Sequence, residues 1–142
     1  MNEPCLFEIE GFESARLKFK AHIGCLGLQE DLLRWKVKCN ESCPLCNNGR
    51  EDIYHFLFTC PVLNEIRNRI WMKLETSLAG GSCFVWETFI SASLTTKLCF
   101  LLGDIAFDYS DDVGWIFDKA CKHFLYDAWT LRRDLLDGTH NE

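Results

Sequence analysis

The sequence has no apolar run that reaches the roughly 18 residues a membrane-spanning helix needs, so neither a helical bilayer span nor a membrane partner is expected. Its first residues, Met1-Asn2-Glu3-Pro4, lack the basic and apolar regions of a secretory signal. That start points to an intracellular protein, nuclear or cytoplasmic. Basic charge is also short: 15 Lys and Arg stand against 21 Asp and Glu, for a net charge of −6. Residues 1–42 are net −1, residues 43–78 are neutral and residues 79–142 are net −5. A protein that coats nucleic acid by charge alone is excluded, because phosphate neutralisation dominates that kind of affinity. There is no internal repeat, no low-complexity stretch and no linker long enough to divide the chain, so 1–142 is expected to be a single domain. Period-2 alternation is almost absent. His22, His123 and His140 have no partner at catalytic spacing, and the chain is expected not to be an enzyme.

Cysteine, by contrast, is plentiful. Nine in 142 residues is an odd number, which with the absence of a secretory signal favours free thiols over a disulfide framework. Cys25, Cys83, Cys99 and Cys121 sit in apolar stretches and are expected to be small core residues. Cys43, Cys46, His55 and Cys60 stand apart as C-x2-C-x8-H-x4-C. Zn²⁺ in structural sites takes four ligands in a tetrahedron, and Cys3His is one of its usual sets. A Cys-x-x-Cys turn lets two thiolates reach one ion, and a helical turn and its end can aim His55 and Cys60 inward. Cys39 lies too far before Cys46 for a normal pair and is left out. A bound Zn²⁺ would leave the centre at a formal charge of −1, so hydrogen-bond donors nearby should stabilise it.

The remainder reads as helix, and the fold class is mostly α: a helical domain organised around a small Cys3His zinc knuckle. Residues 13–42 form a helical lead-in, 43–60 the knuckle and 61–142 a helical bundle. Residues 1–12 are expected to be irregular, with Pro4 and Gly11 as breakers. A helix over 13–22 carries an apolar stripe of Ala15, Phe19 and Ile23, and a second is expected over about 29–37. Asn47-Asn48-Gly49-Arg50 is a tight turn that could close a short β-ribbon. A helix from Glu51 leads to Pro61, which fits the first turn of a helix running to Leu78. Helices over about 85–90 and 94–102 follow, the latter closed by Gly103. Residues 104–112 are a connection. The clearest helix spans about 112–136, with Val113, Phe117, Ala120, Phe124, Ala128, Leu131 and Leu135 recurring every three or four residues, and Gly138 as its stop. The aromatic residues of this half, from Phe84 and Trp86 to Trp115 and Trp129, are expected to be core. An excess over core needs would mark a partner surface.

The segment around the knuckle resembles the zinc-binding region at the carboxyl end of reverse transcriptases from non-LTR retrotransposons. The residues that carry the likeness are Trp35, Cys43-Pro44-Leu45-Cys46, the Asn/Gly turn, Glu51, His55-Phe56-Leu57-Phe58 and Cys60-Pro61. It extends over about residues 13 to 75. The resemblance implies a zinc-dependent accessory element that binds RNA or single-stranded DNA. Arg34, Lys36, Lys38, Arg50, Arg67, Arg69 and Lys73 are the basic residues that converge on the knuckle, with Tyr54 or Trp35 as a stacking surface. The rival expectation is a helical protein–protein adaptor with a purely structural zinc, whose acidic C-terminal half meets the partner. Glu51 reads as an acid at a helix N-terminus. Tyr109-Ser110-Asp111-Asp112 resembles a polymerase palm motif, but it leads into a helix and not a strand hairpin, so it reads as a helix cap.

Overall fold

A computed structural model describes residues 4–37, 40–79, 83–103 and 111–140, and they are mostly helical. Six α-helices follow in order: α1 (Pro4–His22), α2 (Gln29–Arg34), α3 (Asn64–Ala79), α4 (Cys83–Ser91), α5 (Leu94–Leu102) and α6 (Asp111–His140). Between α2 and α3 lie the knuckle, a π-helical turn (His55–Thr59) and a 3₁₀ turn (Pro61–Leu63). No strand forms among the described residues. The expected ribbon is reduced to one bridge, Ser42 to Arg50.

The helix α6 is the axis of the fold, with α1, α3 and α5 packed along it. Its repeat places Val113, Phe117, Ala120, Cys121, Phe124, Leu125 and Ala128 on the buried side. From α3 come Ile70, Leu74 and Leu78, from α4 Val85 and Phe89, and from α5 Phe100 and Leu101. The aromatic centre is tight. Phe117 lies 5.2 Å from both Phe89 and Phe100, and Trp71 stacks on Phe124 at 5.8 Å between ring centroids. Helix α5 runs as the sequence indicates: the Ser93 hydroxyl accepts from the Thr96 N–H at 3.2 Å, and Gly103 ends the helix at φ 81°, a conformation that favours glycine.

Four expectations are corrected. Helix α1 begins at Pro4, not Glu13, because proline is tolerated in the first helical turn and one glycine costs a helix only about 1 kcal/mol. Its buried face is Leu17 and Ala21, which pack toward α6, while Phe12, Phe19 and Ile23 point to solvent at 71, 63 and 54 % exposure. Helix α6 runs through Gly138 to His140. Of the cysteines expected in the core, Cys121 is buried, Cys99 half-buried and Cys25 exposed. Burial pushes the Cys121 thiol up to about 12. The side chain of Cys83, and Phe107, Tyr109 and Ser110, lie outside the described residues. No helix among the described residues is long and apolar enough to cross a membrane.

Candidate metal centre

The knuckle is shaped by its backbone. The Cys43 N–H donates to Gly49 O at 2.9 Å and the Asn47 N–H to Cys43 O at 2.8 Å. Asn47 and Gly49 take positive φ, 55° and 98°, as the Asn/Gly turn requires. On the other side of the site, the Asp52 carboxylate accepts from the His55 N–H at 2.8 Å and starts the next turn. That turn is π-helical: the Cys60 N–H reaches His55 O, five residues back, at 2.8 Å. An i→i+5 turn is wider than an α-turn. It brings His55 and Cys60 to one side of the chain, which is what the H-x4-C spacing needs.

The four candidate ligands meet. One donor atom from each of Cys43, Cys46, His55 and Cys60 lies within 4.8 Å of the other three. Cys43 Sγ is 3.9 Å from Cys60 Sγ, and Cys46 Sγ is 3.4 Å from His55 Nε2. Tetrahedral Zn²⁺ with its usual bond lengths sets neighbouring donors roughly 3.4–3.8 Å apart, so both edges fit. His55 Nδ1 faces the Thr59 hydroxyl at 3.0 Å, which orients the ring and leaves Nε2 to the metal. Burial pushes the Cys43 thiol up to about 12, against the pull of the Cys46 and Leu45 N–H groups. Burial also raises the Cys60 thiol, partly offset by the Val62 N–H. A coordinated metal reverses this, since a bound thiol gives up its proton. Soft thiolates with one imidazole select Zn²⁺ over hard cations.

Around the sulfurs lie two buried arginines. Arg67, 5 % exposed, donates from Nε to Leu57 O at 2.7 Å, from Nη1 to Cys60 O at 3.0 Å and Asn64 Oδ1 at 2.6 Å, and from Nη2 to Phe56 O at 3.2 Å. It clamps the carbonyls at the end of the π turn, and burial lowers its pKa. Arg132 of α6 makes a two-bond pair with the fully buried Glu51 at 2.8 and 2.7 Å. Glu51 also accepts from the Gln29 N–H at 2.9 Å and lies 4.0 Å from Cys43 Sγ. Asp52, not Glu51, starts the helical turn; Glu51 instead pins the knuckle to α2 and to the bundle. A metallated centre of charge −1 next to a carboxylate needs cations, and Arg132 and Arg67 supply them.

Residues 15–71 match the family model for zinc-binding in reverse transcriptase. No curated protein and no solved structure matches the chain. The matched stretch holds all four ligands and ends within α3, so most of the bundle lies beyond it. With the four donors gathered as they are, residues 15–71 hold a Cys3His group suited to a metal and are similar to the zinc-binding segment of reverse transcriptases.

The basic residues singled out from the sequence differ in exposure and in partners. Arg67 is withdrawn from any basic face, because its whole guanidinium is committed inside the protein. Arg34 is half-exposed and bonds Asp31 at 3.0 Å and Gly24 O at 2.7 Å. Arg50 pairs with Glu30, and Arg69 with Asp127 at 2.8 Å. Lys36 and Lys73 are exposed, and Lys38 lies outside the described residues. Trp35 is 44 % exposed, with the Arg34 guanidinium 5.7 Å from its ring centroid, and Tyr54 is half-buried. Sequence reasoning missed Arg132. Its 81-residue separation from Glu51 leaves no local signal.

Proposed function

We propose that this chain is a non-catalytic, zinc-dependent accessory module that binds RNA or single-stranded DNA. The observation that carries the reading is the likeness of residues 15–71 to a zinc-binding segment of reverse transcriptases. The exposed Arg34-Trp35-Lys36 step supports it, because it joins two cations to a ring on which an unpaired base can stack. Zinc serves this function through structure: it fixes the knuckle and performs no chemistry on a substrate.

Titration of labelled single-stranded RNA and DNA into the zinc-loaded protein at two salt concentrations tests the reading. Binding that weakens with salt, and weakens again in Lys36→Ala with Arg50→Ala, is the expected result. Failure of both nucleic acids to bind at low salt overturns it. The adaptor reading has one observation of its own, the solvent-facing Phe12, Phe19 and Ile23 along α1. Self-association or capture of a protein partner, lost in Phe19→Ser without loss of RNA binding, would assign that stripe separately.

A further inference from the structure

We infer that the single strand is held in the groove between α3 and α6, on a surface that lies largely outside the matched zinc-binding segment. This inference rests on the proposed nucleic-acid-binding function and gives it a location. The groove encloses about 790 Å³. Arg69, Met72 and Lys73 line it from α3, and Trp115, Lys119 and His123 from α6. On α6 the last three stand four residues apart, along one face. Arg69 and Lys73 are likewise one turn apart on α3; Arg69 is paired with Asp127, which leaves Lys73 of α3 and Lys119 of α6 to supply the groove's positive charge.

Two features commit the groove to a polyanion with flat rings. The first is charge: none of its lining side chains is a carboxylate, although the chain carries a net charge of −6. Two nearby acids are already paired with cations. Asp118 is held by Lys18 and Lys122, and Asp127 by Arg69 at the groove's edge. The second is Trp115. It is 62 % exposed, whereas Trp71, Trp86 and Trp129 are partly buried against the core. Lys119 Nζ lies over the Trp115 ring, 5.1 Å from its centroid, which sets a cation at the aromatic platform itself. A cationic track with an aromatic platform is the general device for binding single strands without reading their sequence. An acidic amphipathic peptide would match the charge but would leave the exposed Trp face without a stacking partner.

The test uses the full zinc-loaded chain and a labelled oligo-uridine of roughly a dozen nucleotides, within the usual site sizes. Trp115→Ala should weaken binding about tenfold, and Trp115→Phe should retain most of it. The Lys73→Ala, Lys119→Ala pair should lower the salt slope by about 1.4, roughly 0.7 per phosphate contact on a single strand. These positions are exposed, and unchanged helical circular dichroism should confirm that the variants fold. Groove variants that bind like the wild type, while Lys36→Ala with Arg50→Ala does not, overturn this location and leave the nucleic-acid reading standing. A wild type that binds no single strand ends both. A wild type that binds a Glu-rich amphipathic peptide through Trp115 and no RNA overturns the occupant.

Discussion

Glu51 shows how much one side chain contributes when it is fully buried and charged. Its carboxylate holds the Arg132 guanidinium, caps Gln29 and lies beside Cys43 Sγ. Removing one partner of such a pair leaves an uncompensated charge in the interior and costs about 3–5 kcal/mol. Arg132→Met should therefore cost about that much in denaturant unfolding, and Glu51→Gln combined with Arg132→Met should cost clearly less than Arg132→Met alone. Equal losses would mean that the pair contributes only packing. The four metal ligands were legible because their signal is local: eighteen consecutive residues contain all of it. Arg67 was legible as a cation but not in its role, since nothing in N-E-I-R tells an exposed arginine from one clamping carbonyls. Whether it is buried depends on how the π turn approaches α3, and only the tertiary structure states that.

At the scale of elements, α1 and α6 illustrate what periodicity can and cannot reveal. The α6 stripe was correct from Val113 to Ala128, whereas Leu135 and Trp115, the latter expected in the core, are exposed. In α1 Phe12 and Phe19 face solvent, and the docking face is Leu17, Ala21 and the Lys18–Asp118 ion pair. Helix ends were misplaced where a breaker residue was overruled: Pro4 can open a helix, and Gly138 was carried along by the long helix before it. The α1–α6 contact also predicts a pH effect. Burial works to raise the Asp118 carboxyl, but hydrogen bonds and charge from Lys18 and Lys122 win and hold its pKa below the ordinary aspartate value. A depressed carboxyl stabilises the folded state above its unfolded value and loses that contribution as pH falls through its folded value. Lys18→Met should thus lower the melting temperature at neutral pH, and the gap to wild type should shrink below about pH 4. A gap independent of pH would assign the loss to the lysine's alkyl chain.

In the whole molecule, two kinds of stabilisation meet at one seam. The bundle of α3–α6 is held by an aromatic core built on Phe89, Phe100, Phe117 and Phe124. Apart from Phe56, Leu57 and Glu51, the knuckle buries little beyond its sulfurs, and it is expected to depend on its ion, as small metal-organised units do. The seam is made of Phe56 against Phe124 and Trp129 at 5.9 and 6.0 Å, the Arg67 clamp and the Glu51–Arg132 pair. Chelation should therefore melt the molecule in part. Amide exchange should accelerate across residues 42–60 when zinc is withdrawn, while α5 and the middle of α6 stay protected and the helical circular dichroism falls only modestly. Cys43→Ser should reproduce the pattern without chelator. Uniform acceleration through α6 would instead show that knuckle and bundle unfold as one unit. In that case the seam, more than the aromatic centre, sets the stability of the fold, because the bundle would then need Glu51 and Phe56 held in place by the metal.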